Sequence, residues 1–220
     1  MKKLFAPGCA LVLYKPHLVD RLHDHLEKRF GTMETLLTCC RHVPPLPSGT
    51  EVINACPGCD RRYRENYPDS STISLWELIL EHSFLPLPDY RNQQMTIIDA
   101  CPTRDQPRVQ EAIRELARRM NISLVEPRST RSKSTCCGDS LWGTVPTEQV
   151  VQQMKKKAST MPVDDVLVHC VSCAKAMFVG EKRPRYLVDL LFAEDTVAQT
   201  CEPDAWHAEL EAYINSHAPV

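Results

Sequence analysis

The chain has 220 residues, 43% of them hydrophobic, with a formal net charge of −2 and a sequence pI of about 6.4. That length supports a buried core, as one domain or as two small fused ones. The near-neutral charge excludes the strongly basic domain or stripe of a nucleic-acid-binding protein. No apolar run approaches the roughly 18 to 20 residues that span a bilayer.

Lys2-Lys3 precede Leu4-Phe5-Ala6-Pro7-Gly8-Cys9, which leaves too few apolar residues for a secretory core of about 7–15. A cytoplasmic location is expected. Leu4–Ala6 reads as a short strand running into Cys9, and His17–Phe30 as a helix opened by Pro16, a residue tolerated at helix starts. The pair Cys39-Cys40 follows. Glu51–Ala55 then forms a second strand that runs into Cys56-Pro57-Gly58-Cys59. A polar helical piece and the apolar stretch Ile73–Ile79 complete this half. Leu85-Pro86-Leu87-Pro88 breaks the pattern and places a boundary within Leu85–Gln94.

The order then repeats. Thr96–Ala100 leads as a strand into Cys101, and Asp105–Met120 is a helix with Val109, Ile113, Leu116 and Met120 at helical spacing. Cys136-Cys137-Gly138 follows, then Asp165–His169 as a strand into Cys170-Val171-Ser172-Cys173, then the apolar stretch Arg185–Leu191. Glu202–His217 reads as an amphipathic helix with Trp206, Leu210 and Ile214 on one face. The short basic runs Arg128–Lys133 and Lys155–Lys157 read as solvated surface, with a basic docking patch as the alternative. The expected organisation is residues 1–88 as a shortened first repeat, 89–195 as a second repeat, and 196–220 as a helical tail.

Strands alternating with helices predict an α/β fold with short, mainly parallel sheets flanked by helices. Ligands in such folds gather at the carboxyl ends of strands. Each lead cysteine and each Cys-x-x-Cys stands at such an end.

Eleven cysteines are many for a reducing compartment, where thiols serve as metal ligands or redox groups rather than as disulfides. Ten fall into two sets of one order: a single Cys, a Cys-Cys pair, then Cys-x-x-Cys. The first set is Cys9, Cys39, Cys40, Cys56 and Cys59. The second is Cys101, Cys136, Cys137, Cys170 and Cys173. A structural zinc site and an ordinary four-iron cubane each take four ligands, so five per set leaves one thiol over. Either that thiol is spare and chemically active, or the cofactor offers more coordination positions. Adjacent cysteines point to one centre only where the backbone turns sharply, a freedom that Gly138 supplies in the second set. Seventeen prolines against seven glycines suggest rigid, irregular connections suited to holding ligands.

The order Cys, Cys-Cys-Gly, Cys-x-x-Cys resembles the cysteine-rich CCG domain, which occurs in tandem in one of the subunits of heterodisulfide reductase. The resemblance runs from about Leu4 to Ala193. It implies a noncubane [4Fe–4S] cluster in each five-cysteine set, pseudo-two-fold packing of the halves, and cleavage of a substrate disulfide between the clusters. The second set fits, with 34 residues between Cys101 and Cys136 and 32 between Cys137 and Cys170. The first departs from the pattern: 15 residues separate Cys40 from Cys56, and Arg41 stands in place of the glycine. Zinc at this N-terminal site is the alternative that the departure raises.

Among other residues, His169 reads as a buried, satisfied histidine, with cluster tuning or proton relay as the alternative. Trp142 reads as core, with shielding of a cluster from water as the alternative. His17, His23 and His25 read as surface, and Cys201 as an ordinary thiol. Arg61, Arg62 and Lys175 read as exposed charges at helix starts, or as partners offsetting a cluster's negative charge. Three functions follow: a disulfide-reducing iron–sulfur subunit acting on a small thiol or disulfide, an electron-transfer subunit beside a flavin-dependent dehydrogenase, or a zinc-stapled structural protein. Neither a ferredoxin-like cysteine run nor a Gly-x-Gly-x-x-Gly fingerprint occurs, so a separate flavin- or ferredoxin-type partner is expected.

Overall fold

The computed structural model describes residues 2–37 and 42–217. Cys39, Cys40 and Arg41 of the first set therefore lie outside the described residues. The chain divides into two compact units, one of residues 1–85 with 209–220 and one of residues 86–208.

The first unit runs β1 (Lys3–Ala6), α1 (Cys9–Tyr14), α2 (Pro16–Phe30), β2 (Glu34–Thr35), β3 (Glu51–Asn54), α3 (Pro57–Asn66), β4 (Ser71–Ser74) and α4 (Leu75–His82). Its strands form a parallel sheet of order β2-β1-β3-β4. The second unit runs β5 (Gln93–Ile98), α5 (Pro107–Arg119), β6 (Ile122–Val125), α6 (Thr147–Ser159), β7 (Asp165–Val168), α7 (Val171–Val179), β8 (Arg183–Tyr186) and α8 (Leu187–Leu191). Its sheet is again parallel, of order β6-β5-β7-β8. The expected α/β class with two pseudo-symmetric repeats is what the structure has. A last helix, α9 (Pro203–Ser216), gives its first part to the second unit and its later part to the first.

The inner strands are buried on consecutive residues rather than on alternate ones: Leu4, Phe5 and Ala6 in β1, and Val166, Leu167 and Val168 in β7. That is the pattern of parallel strands covered on both faces. Helix α5 turns Val109, Ile113 and Leu116 onto its sheet, as the periodicity predicted. Pro184 is placed where it does no harm, in the edge strand β8 opposite Val166.

Two details differ from expectation. A first helix begins at Cys9 itself, before the break at Lys15 and the predicted helix from Pro16. The apolar stretches after each Cys-x-x-Cys helix are each a junction, with a strand passing directly into a helix at Ser74-Leu75 and at Tyr186-Leu187. Ser74 caps α4 by accepting the backbone N–H of Trp76, so the change of structure has a local cause.

Candidate metal centre

In each sheet the chain order reverses between the two central strands. Loops leaving the carboxyl ends of strands at such a point diverge and open a crevice. Cys101 follows β5 and Cys170 follows β7, the central pair of the second unit. Cys9 follows β1 and Cys56 follows β3, the central pair of the first. The topology thus delivers each lead cysteine and each Cys-x-x-Cys to the switch point of its own sheet.

In the second unit the five cysteines of the second set are all free thiols. They form a row in which each thiol shifts the ionisation of the next: Cys101 with Cys136, Cys136 with Cys137, Cys137 with Cys173, and Cys173 with Cys170. Cys136 is the row's favoured thiolate. Interaction with the Cys101 and Cys137 thiols holds its thiol well below the ordinary range, helped by the Ser140 hydroxyl at 2.9 Å and the Gly138 N–H at 3.3 Å. Its neighbours shift the other way. Cys101 is raised by the neighbouring Cys136 and by burial, Cys137 by Cys136, and Cys173 by Cys137 and Cys170. Among the described residues, no three His, Cys, Asp or Glu side chains form a ready site for one metal ion.

Gly138 makes the Cys-Cys turn possible in two ways. Its φ is +116°, and a Cβ there would lie 3.1 Å from the Met154 nitrogen and 3.2 Å from the Val150 carbonyl oxygen. The turn therefore lies directly against α6, whose Gln153 also reaches the Cys136 carbonyl at 3.4 Å.

A buried network fixes the loops that carry Cys101 and Cys136. Asp99, 1% exposed, accepts two hydrogen bonds from the Arg114 guanidinium (2.8 and 3.0 Å), one from Thr130 Oγ1 and one from the Arg131 N–H. Burial pushes the Asp99 carboxyl up, but the Arg114 hydrogen bonds and charge outweigh it, and the net displacement is downward. The Asp99 carbonyl accepts the Ser134 hydroxyl at 2.8 Å, and Arg104 donates to the Ser134 carbonyl. Segment 130–134, which leads to Cys136, is thus tied to the residues on either side of Cys101.

The first set is seen in part. Cys9, Cys59 and Tyr63 are buried in one apolar cluster with Cys56 packed against it, and Ile214 of α9 belongs to the same cluster. Cys9 Sγ lies 3.5 Å from the Leu37 carbonyl oxygen. Gly8, at φ +87°, allows the close approach: a Cβ there would stand 2.6 Å from Cys56 Cβ and 3.5 Å from Cys59 Sγ. Sequence reasoning passed over Gly8, although Pro7-Gly8 before a lead cysteine is a turn signal.

Several side chains depart from expectation. Lys157, taken with its neighbours as surface, is 2% exposed, because it falls on the same face of α6 as Val150 and Met154. Burial pulls its ammonium below the usual range, opposed by Cys173, Cys137, Asp99 and Cys136. Lys175 is buried too, donating to the Thr200 carbonyl and lying 4.1 Å from the centre of the Trp206 ring, whereas Arg61 and Arg62 are exposed. His169 is buried but not satisfied: among the described residues neither ring nitrogen has a hydrogen-bond partner, and burial lowers its pKa to about 4. Trp142 is half-buried rather than core; it stacks on His207 at 4.0 Å and donates to Asp204. His207 Nε2 meets Asp139 at 3.1 Å. Of the histidines assigned to the surface, His17 is exposed and His23 and His25 are partly buried. Cys201 donates to the Ala198 carbonyl, outside the row.

Five thiols gathered at the switch point of a parallel α/β unit are the kind of donor set that metal- and iron–sulfur-binding proteins use. The model of the cysteine-rich CCG domain matches residues 95–178, the stretch holding all five second-set cysteines. No curated protein matches the chain. Among solved structures the chain is similar to Picrophilus torridus aspartate racemase, at 12% identity and a TM-score of 0.33, with 87% of this chain and 99% of that chain covered. Among the described residues no helix is long and apolar enough to cross a membrane.

Proposed function

We propose that the chain is an iron–sulfur protein of the heterodisulfide reductase type, akin to the subunit of that enzyme with tandem CCG domains, and that it reduces a disulfide or related sulfur substrate in the cytoplasm. Cys101, Cys136, Cys137, Cys170 and Cys173 hold a noncubane [4Fe–4S] cluster. Cys9, Cys39, Cys40, Cys56 and Cys59 hold a second cluster, or zinc in its place. The observation that carries this is the unbroken row of five thiols from Cys101 to Cys170. A four-ligand zinc or cubane site leaves one of those thiols without a role.

Bound at these thiolates, such a cluster supplies electrons to a disulfide bond, which takes two electrons and two protons to become two thiols. The chain's residues do the rest. Cys136, already favoured as a thiolate, is the first ligand prepared for metal. Asp99 and Arg114 hold the Cys101 and Cys136 loops in register, and Gly138 lets the turn seat on α6. Electrons come from a separate flavin- or ferredoxin-type protein.

The test is electron paramagnetic resonance on anaerobically purified, oxidised protein, with and without a low-molecular-weight thiol. A signal reshaped by the thiol is expected, because sulfur products bind at the site. Cubane signals indifferent to thiol would replace disulfide reduction with plain electron transfer.

A further inference from the structure

Lys157 sits where α6 should carry an apolar residue. Buried positions along that helix are Val150, Met154, Lys157 and Ala158, the spacing of a core-facing stripe. The side chain is 2% exposed, so its ammonium is cut off from water. Its hydrogen bonds are two long contacts, to Ser134 Oγ at 3.4 Å and Thr135 Oγ1 at 3.5 Å. Among the described residues no carboxylate pairs with it. A buried cation without a counter-charge is costly, and lysine is well hydrated when exposed, so the arrangement calls for a negative partner.

Its contacts with Ser134 and Thr135 set the ammonium against the segment that leads to Cys136, and Cys173, Cys137, Asp99 and Cys136 are the groups whose negative charge would stabilise it. Asp99 is already engaged by Arg114, Thr130 and the Arg131 N–H. What remains is the cysteine row, approached from α6 on the side where Gly138 touches Met154.

We infer that Lys157 is the resident counter-charge of the second cysteine site: a buried ammonium that favours the more negative, reduced state of an anionic centre held there. Lys157 is a positioning residue in this role and ligates nothing. The inference rests on the proposed iron–sulfur function and adds to it a determinant of how readily the centre accepts an electron. Thr135, which precedes Cys136, and Ser134 hold the ammonium in place without supplying charge.

The test is a dithionite redox titration, followed by electron paramagnetic resonance, of the full chain and of Lys157→Met and Lys157→Arg, with iron and acid-labile sulfide measured in each. Lys157→Met keeps the length of the side chain and loses the charge. At a fixed applied potential its ratio of reduced to oxidised centre should fall about tenfold, which is about 59 mV for one electron. Lys157→Arg should stay within about threefold of the parent, since the charge is kept. A loaded Lys157→Met that titrates with the parent overturns the inference, as does an arginine variant shifted as far as the methionine one. Should Lys157→Met take up no iron, thermal melts of the metal-free proteins decide. A higher Tm than the parent supports an ammonium awaiting its counter-charge; a lower one shows an ordinary structural lysine and overturns the inference. A parent chain that itself takes up no iron is a separate result, and refutes the proposed function.

Discussion

Replacing Arg114 with methionine tests whether the buried network beneath the cysteine site is held by charge. The substitution keeps an aliphatic stem of similar reach and removes the guanidinium, which donates to Asp99, Glu126, Thr130 and the Gln110 carbonyl. Asp99, 1% exposed, is left as a buried carboxylate with the Thr130 hydroxyl and the Arg131 N–H as its remaining donors. Breaking a buried pair from one side costs about 3–5 kcal/mol. The two surviving donors place this case near the lower end, at about 3 kcal/mol. The Glu126 side chain is 40% exposed, so its lost partner adds at most about 1 kcal/mol. With a urea slope of about 1–3 kcal/mol/M, the unfolding midpoint should fall by about 1–3 M. The assay is urea unfolding of metal-free, reduced protein, read by Trp142 and Trp206 of the second unit in a Trp76→Phe background. Adding Asp99→Asn should recover part of the loss, since no charge is then stranded. A single variant within about 1 kcal/mol of its parent, or a double variant no better than Arg114→Met alone, would refute the reasoning.

Gly138→Ala should destabilise the second unit by at least about 2 kcal/mol, because its φ of +116° and the fixed backbone of Met154 and Val150 both oppose a Cβ. Gly143→Ala, also at positive φ but with open space around it, should cost about 1 kcal/mol and leave metal content unchanged; equal losses would show that the seat on α6 does not matter. Cys137→Ser should remove iron from the second site, whereas Cys201→Ser should leave metal content as it was, and elemental analysis giving the reverse would undo the ligand assignment. Glu115→Gln should change stability by no more than about 0.5 kcal/mol, although Arg118 and Arg119 hold that carboxyl down to about 2, because the cluster is exposed to solvent. A loss above about 1 kcal/mol by thermal unfolding would contradict that discount.

Much of the fold was legible because local signals agreed with one another. The apolar runs ending in Cys9, Cys56, Cys101 and Cys170 mark buried parallel strands, and the repeat in cysteine order marks the repeat in topology. Gly138 was legible too, since two adjacent cysteines aimed at one place need a backbone turn. The buried cations were not read, for a physical reason. Lys155-Lys156-Lys157 looks like a solvated run until each residue is placed on its helix, where the third alone joins the Val150 and Met154 face. Arg114 likewise sits among apolar partners on α5, and its carboxylates come from residues 99 and 126, which only tertiary folding brings to it. The junctions at Ser74 and Tyr186 escaped notice because one apolar run suits a strand and a buried helix alike.

The most direct measurement is the iron, acid-labile sulfide and zinc content of the chain purified without oxygen. A coloured protein with about four irons and four sulfides per filled site, lost from the second site in Cys137→Ser, is the predicted result. A colourless protein with stoichiometric zinc and no acid-labile sulfide would contradict it.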